Sequence, residues 1–320
     1  MSSPAPRISI VIPVYNCLQT IGRCLESLFS LNHPSYEVII ADDGSTDGTP
    51  EVCESYPGTR VIRLDRGGPS HARNVGIAAA RGEFVAFTDG DCIVDSEWLN
   101  ELEKSFVTSE VAGVGGDQQS PDDDTSVGKT IQGFFKSIGF MTQYIKTGAN
   151  LRETEHNPSC NSAYRRSVLL EVGGFDPALF PGEDVKLDLH IRRKGYRLMF
   201  NPAAKVAHYR AQTYGRFAKM MRRYGAGEWH LFREYGLYRK IDYVPVALVL
   251  GVLAFSLFLI WESRAVVALA VPLPACFLWF FAKTKELRKS IQYTVLLILT
   301  LVNWNWGFFT GYRYRPVLRT

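Results

Sequence analysis

Glu83–Asp95 reads EFVAFTDGDCIVD. Five apolar or β-prone residues, Phe84 to Thr88, lead into Asp89 and Asp91, which stand one residue apart. A strand that is apolar on both faces belongs in the middle of a parallel sheet with helices packed on either side. The carboxyl end of such a strand is where α/β sheets bind ligands. Two carboxylates this close repel and raise each other's pKa unless a cation or a set of hydrogen-bond donors compensates. The alternative is a polar turn, for which Asp and Gly90 are well suited.

Upstream, apolar strands alternate with helical stretches. RISIVIPVY (Arg7–Tyr15) precedes a helix around Ile21 to Leu31, YEVIIADD (Tyr36–Asp43) a helix around Pro50 to Tyr56, and TRVIRLD (Thr59–Asp65) a helix around His71 to Ala80. That alternation predicts a parallel α/β sheet. From about Asp117 to Asn157 the pattern breaks into a loop and helices over the sheet. NSAYRRSVLLEVGGFDP (Asn161–Pro177) reads as a strand or turn and a helix ending at Gly173, and DVKLDLHIRRKGYRL (Asp184–Leu198) as a helix ending at Gly195.

Several stretches carry candidate chemistry. ADDGSTDGT (Ala41–Thr49) puts Asp42 and Asp43 at a second strand end, followed by a tight loop whose N–H groups approach a ligand closely, or else form an Asx turn. GGPSHARNVGIAAARG (Gly67–Gly82) places Arg73 and Asn74 early in a helix, as phosphate contact or as strut. It lacks both the GxGxxG of a dinucleotide fold and the GK[ST] of a P-loop, so neither a nicotinamide enzyme nor a nucleotide triphosphatase is supported. Glu183 and Asp184 sit at a helix start, where the helix dipole already favours them. Asp188, Arg192, Arg193 and Lys194 read as a solvated helix face, and His208 as a core histidine or a metal ligand. Six cysteines show neither a CxxC pair nor metal spacing, so neither disulfides nor zinc are expected.

The 320 residues carry a net charge of +4 and 46% hydrophobic residues, and the mean hydropathy is −0.05. That average conceals three uncharged runs, at 243–261, 265–282 and 291–309, each about long enough to cross a bilayer. Basic flanks, Arg222, Arg223, Arg233, Arg239 and Lys240 before the first run and KTKELRKS (Lys283–Ser290) after the second, orient these ends to the cytoplasm. The arginines of the tail GYRYRPVLRT (Gly311–Thr320) oppose full crossing by the third run, which then lies re-entrant or partly in the interface. The mixed basic and aromatic stretch at 213–242 suits a helix along the lipid headgroups rather than nucleic acid. The apolar run at the amino terminus is too short for a signal peptide, which puts the first region in the cytosol.

SIVIPVYN, ADDGSTDGT, ARNVGIAAARGEFVAFTDGDC, NSAYRRSVLLEVGGFDP and GEDVKLDLHIRRKGYRL occur in the order seen in family 2 glycosyltransferases. Across roughly Ile8 to Arg210 the chain resembles that family, and its carboxyl-terminal spans resemble those of membrane-bound bacterial or archaeal members that build polysaccharides and glycolipids. The resemblance implies a GT-A fold, an α/β nucleotide-diphospho-sugar transferase fold with a Rossmann-like mixed sheet, at residues 1–212. An interfacial segment (213–242) and a transmembrane region of two or three spans (243–320) follow. It also implies a UDP-, GDP- or dTDP-sugar donor, Mg²⁺ or Mn²⁺, and inversion at the anomeric carbon. By position, Pro13 and Tyr15 line the base pocket, with Asp42 and Asp43 near base and ribose. Asp89 and Asp91 match the DXD motif, Asp91 holding the metal and Asp89 the ribose or a metal-bound water; His208, outside that match, is the candidate for a further ligand. Asp184 matches the general base beside Glu183, while Lys186 replaces the second acid of the usual EDVDL. Arg222, Arg223 and Tyr224 stand where relatives keep an Arg-aromatic motif near the diphosphate, although MMRRYG is not QxxRW.

The expected activity is transfer of one sugar to a hydroxyl of a lipid-linked saccharide or polysaccharide at the cytoplasmic face of the cell membrane. Transfer to polyprenyl phosphate is the alternative within the class, and a non-catalytic nucleotide-binding membrane scaffold the alternative outside it. No nucleic-acid partner is expected.

Overall fold

The computed structural model describes residues 5–138, 150–238 and 272–314, with isolated positions between 243 and 254. The backbone forms two compact units: one of Met1–Asp124, Gly139–Tyr209 and Arg315–Thr320, the other of Thr125–Ile138 and Arg210–Tyr314.

The first unit is built on a nine-stranded sheet. β1 (Ile8–Val14), β2 (Tyr36–Asp42), β3 (Thr59–Arg63) and β4 (Phe84–Phe87) are parallel and run in the order β3-β2-β1-β4. Their side chains alternate between two cores. Ile8, Ile10, Ile12 and Val14 meet Ile21, Cys24, Leu25 and Leu28 of α1 (Leu18–Phe29), a helical stripe at the expected spacing, while Val11 faces Ile77, Val85 and Phe87 on the other side. α2 (Thr49–Ser55) and α3 (Pro69–Ala79) complete the alternating half.

The other half departs from the all-parallel expectation. β8 (Ser162–Arg165) pairs antiparallel with β4, so that Phe87 faces Ser162. β6 (Val111–Gln119) follows β8, then β9 (Arg197–His208) and β5 (Cys92–Val94), with β7 (Arg152–Thr154) on β9. This reversal positions the site, because an antiparallel β8 brings its amino-terminal approach, Ser159 to Asn161, to the end of the sheet where β4 delivers Asp89. Pairing of β5 with β9 sets Cys92 opposite His208 in the same way. α4 (Trp98–Glu103), α6 (Arg166–Val172) and α7 (Glu183–Arg193) cover the sheet. The sheet is therefore mixed, as the family resemblance implies.

The second unit holds α5 (Ser126–Ile138), α8 (Tyr214–Tyr235) and the helices Pro272–Thr284 and Leu287–Thr310. Gly225 and Gly307 let α8 and Leu287–Thr310 touch backbone to backbone: a Cβ on Gly225 would stand 1.9 Å from the Trp304 carbonyl, and one on Gly307 1.9 Å from that of Arg222. Phe134 of α5 packs on Phe217, Phe280 and Tyr293. Among the described residues, Leu287–Arg313 is the one stretch long and apolar enough to cross a membrane, with 27 residues and a mean hydropathy of 1.2 over its most apolar 18 residues. The third hydrophobic run, 291–309, lies within it as unbroken helix. The run 243–261 lies outside the described residues apart from isolated positions, and 265–282 is described only from residue 272.

Candidate active site

The ends of β1, β2 and β4 supply the first group of side chains. Asp43 follows β2, held by its own N–H on the Val14 carbonyl at 2.8 Å. Its carboxylate accepts the N–H groups of Gly67 (2.6 Å) and Gly68 (3.0 Å), which lead into α3. Burial raises the pKa of Asp43, against the pull of those two N–H donors. Gly68 sits at φ +87°, a left-handed conformation open to glycine. Asp42 accepts the Ser45 N–H at 3.2 Å. Pro13 is half-buried in β1, and the exposed ring of Tyr15 carries the Arg66 guanidinium 3.5 Å from its centroid.

Arg73, one turn into α3, joins two of the predicted motifs. It is 3% exposed and donates to Glu183 Oε1 at 2.8 Å and to Asp89 Oδ1 at 3.0 Å. Burial works against its charge, but Asp89 and Glu183 outweigh that and hold its pKa above the ordinary arginine value. Burial, with Asp184 beside it, raises Glu183 to about 7, while Arg73 acts in the opposite sense. Asn74 puts both amide atoms on Phe175, donating to its carbonyl at 2.7 Å and accepting its N–H at 2.8 Å.

Asp184 is more open than Glu183, its side chain 20% exposed against 4%. It accepts N–H groups of Val185 (2.8 Å) and Ser159 (3.3 Å), and His156 Nε2 stands 3.9 Å away. The other ring nitrogen of His156 lies 2.7 Å from Asp188 Oδ2, which also accepts the Asn157 N–H at 2.6 Å, while Tyr164 donates to Asp188 Oδ1 at 2.9 Å. Asp188 is fully buried, and burial raises its pKa. The solvated-face expectation therefore fails for Asp188, because its partners come from β8 and the segment before it, which the helix pattern does not contain. It holds for Arg192, Arg193 and Lys194, which are exposed.

Asp91 and His208 meet across β5 and β9, Oδ1 to Nε2 at 3.5 Å. Burial disfavours charge on the imidazole, but Asp91 and then Cys160 override it and raise its pKa to about 10. Of the predicted residues, Asp42, Asp43, Arg73, Asp89, Asp91, Glu183, Asp184 and His208 all lie in the first unit, at strand ends or at the starts of α3 and α7. Arg222, Arg223 and Tyr224 lie on α8 in the second unit, with Arg222 over the Trp306 ring at 4.7 Å. Sequence reading missed His156, Arg66 and Cys160. None sits in a motif with fixed spacing, and each gains its neighbours from a distant part of the chain.

Comparison with known proteins accords with this geometry. The profile of Glycosyl transferase family 2 matches residues 9–173. Glycosyltransferase AglE of Haloferax volcanii is 30% identical over 249 residues, covering 73% of this chain and 77% of that protein. A Methanococcus voltae protein, dolichyl N-acetyl-alpha-D-glucosaminyl phosphate 3-beta-D-2,3-diacetamido-2,3-dideoxy-beta-D-glucuronosyltransferase, is 24% identical over 95% of this chain and 96% of its own length. Among solved structures, mannosyltransferase PcManGT of Pyrobaculum calidifontis, in complex with GDP-Man and Mn²⁺, superposes with a TM-score of 0.64 at 20% identity, covering 95% of this chain and 88% of that one. The fold is that of the GT-A glycosyltransferases, and the chain belongs to glycosyltransferase family 2, enzymes acting on nucleotide sugars.

Proposed function

We propose that this glycosyltransferase moves one sugar, with inversion, from a nucleotide-diphosphate sugar to a hydroxyl of a lipid-linked saccharide or polysaccharide, at the cytoplasmic face of the membrane. The reading rests on one observation above all: a buried Arg73 ties the DXD carboxylate Asp89 to Glu183 and leaves the neighbouring Asp91 and Asp184 more open.

The donor set suits a divalent ion. Asp91, its side chain 45% exposed, offers an oxygen 3.5 Å from the imidazole nitrogen of His208, a pair that Mn²⁺ or Mg²⁺ accepts. Asp89 turns one oxygen inward to Arg73 and keeps the rest of its carboxylate for the ribose or a metal-bound water. An ion held there would neutralise the diphosphate charge and make the nucleotide a better leaving group. Tyr15, Pro13 and the Asp43 loop border the base and ribose, with Asp42 behind them. Asp184 accepts the proton of the attacking hydroxyl, oriented by the N–H groups of Val185 and Ser159. Glu183, fixed on Arg73, holds the start of α7 in place rather than sharing that role. Asn74 braces the loop at Phe175.

A hydroxyl acceptor needs a base and an ionised phosphate does not, so Asp184 favours the saccharide acceptor. The name of the Methanococcus voltae relative points the same way, toward a lipid-linked saccharide. Membrane attachment through Leu287–Thr310 fits a lipid-linked acceptor, and the two further spans rest on hydropathy alone. A thermal-shift panel of UDP-, GDP- and dTDP-sugars tests the donor site. At least one donor should stabilise the wild type in Mn²⁺ but not in chelator, and Asp91→Asn should lose that response. A panel without any Mn²⁺-dependent shift would refute the reading.

A further inference from the structure

Behind Asp91, side chains from three separate segments converge. Cys92 opens β5, His208 closes β9 directly opposite it, and Cys160 lies on the approach to β8. One ligand atom from each, two sulfurs and a ring nitrogen, lie within 4.8 Å of one another. Asp91 Oδ1 stands 3.8 Å from Cys92 Sγ and 3.5 Å from His208 Nε2. With bonds of ~2.3 Å to sulfur and ~2.0 Å to nitrogen and oxygen, neighbouring ligand atoms around tetrahedral zinc are roughly 3.3–3.8 Å apart. Both distances to Asp91 match that size, and the two sulfurs and the ring nitrogen, within 4.8 Å of one another, need only close toward it.

We propose that Cys92, Cys160, His208 and Asp91 form a second cation site, selective for a thiophilic divalent ion of the zinc class, which competes with the donor's metal for Asp91 and His208. Selectivity follows from the ligands, since thiolates favour zinc-class ions whereas Mg²⁺ and Mn²⁺ favour oxygen. Cys92 is 1% and Cys160 6% exposed, so the sulfurs are shielded and the ion enters past the half-exposed Asp91. Four protein donors close the coordination shell, which marks a holding site rather than a catalytic one. A zinc-class ion here withdraws Asp91 from the diphosphate and switches donor binding off. The competition rests on the reading of Asp91 given above, while the cation site stands without it.

The test uses the full chain in detergent, reduced and stripped by chelator, titrated with Co²⁺ alone. A thiolate-to-cobalt charge-transfer absorption should appear, and Zn²⁺ but not Mn²⁺ should bleach it. Cys92→Ser and Cys160→Ser should each weaken Co²⁺ binding by at least the ~10–100-fold that loss of a supporting partner costs a metal site. Cys53→Ser, which alters a thiol on α2, should leave it unchanged. Because serine at a buried position can unfold the chain, X-ray absorption of the zinc-loaded wild type is the second measurement, with two sulfurs expected at ~2.3 Å. Absence of the charge-transfer band, or a zinc shell without sulfur, overturns the site. Mn²⁺-supported binding of a nucleoside diphosphate should then need about tenfold more Mn²⁺ when Zn²⁺ is present. Sulfur-bound zinc with no effect on that binding overturns the competition. A chain that binds no nucleoside diphosphate in Mn²⁺, with zinc absent, counts against the donor reading and leaves the thiolate site standing.

Discussion

Arg73 faces Asp89, 16 residues away in sequence, and Glu183, 110 residues away. No local pattern in either motif carries those pairings, so each residue was legible as a candidate while the bridge between them was not. Asp188 shows the same limit from the other side: its helix spacing looked like a solvated face, and only the return of the chain through His156 and Asn157 buries it. Gathering carboxylates around one arginine has a pH signature. Glu183 titrates at about 7 in the folded chain and near 4.5 when unfolded. Between those values the folded state keeps a proton that the unfolded state has released. Its contribution to stability is therefore complete below about pH 4.5 and is lost as the pH rises through 7. Glu183→Gln carries the neutral form throughout, so relative to wild type it should gain on the order of 3 kcal/mol between pH 4.5 and 8. Paired melting curves across that range check this, and a difference that does not change with pH would contradict it.

At the scale of elements, the alternating strands and helices of the first hundred residues appear within a few residues of their expected positions, because a period of two set against 3.6 is written into each short segment. Strand direction is not. β8 runs antiparallel to β4 because of how the chain returns to the sheet, and that reversal carries Ser159 and Cys160 to the site. The helix α8 illustrates a second gap. Its arginines and aromatics suggested a helix lying on headgroups, whereas Gly225 also joins it to Leu287–Thr310 at backbone distance. Small residues at such a crossing replace the hydrophobic drive that lipid removes. Gly307→Val should separate the pair at a cost of about 1–3 kcal/mol or more. Thermal unfolding of the helical circular dichroism in detergent measures it, and an unchanged midpoint would show that the helices do not depend on this contact.

For the whole molecule, the sequence motifs gave the family and the fold, while the membrane arrangement rests on composition. Leu287–Thr310 turns Ile291, Val295, Ile298, Val302 and Phe309 outward, an apolar surface suited to lipid. The full chain should therefore stay in membranes through an alkaline carbonate wash. Ile298→Asp, carrying a penalty of about 2.5–3.5 kcal/mol at a helix centre, should reduce that fraction. Release of the wild-type chain by the wash would remove the membrane from the account. The proposed chemistry turns on Asp184 as the base, and the direct measurement is the turnover of Asp184→Asn, with the donor and acceptor that the wild type uses, alongside its donor affinity. Turnover should fall by about 10²–10⁴-fold with donor affinity kept. Turnover within a few-fold of wild type would contradict the assignment.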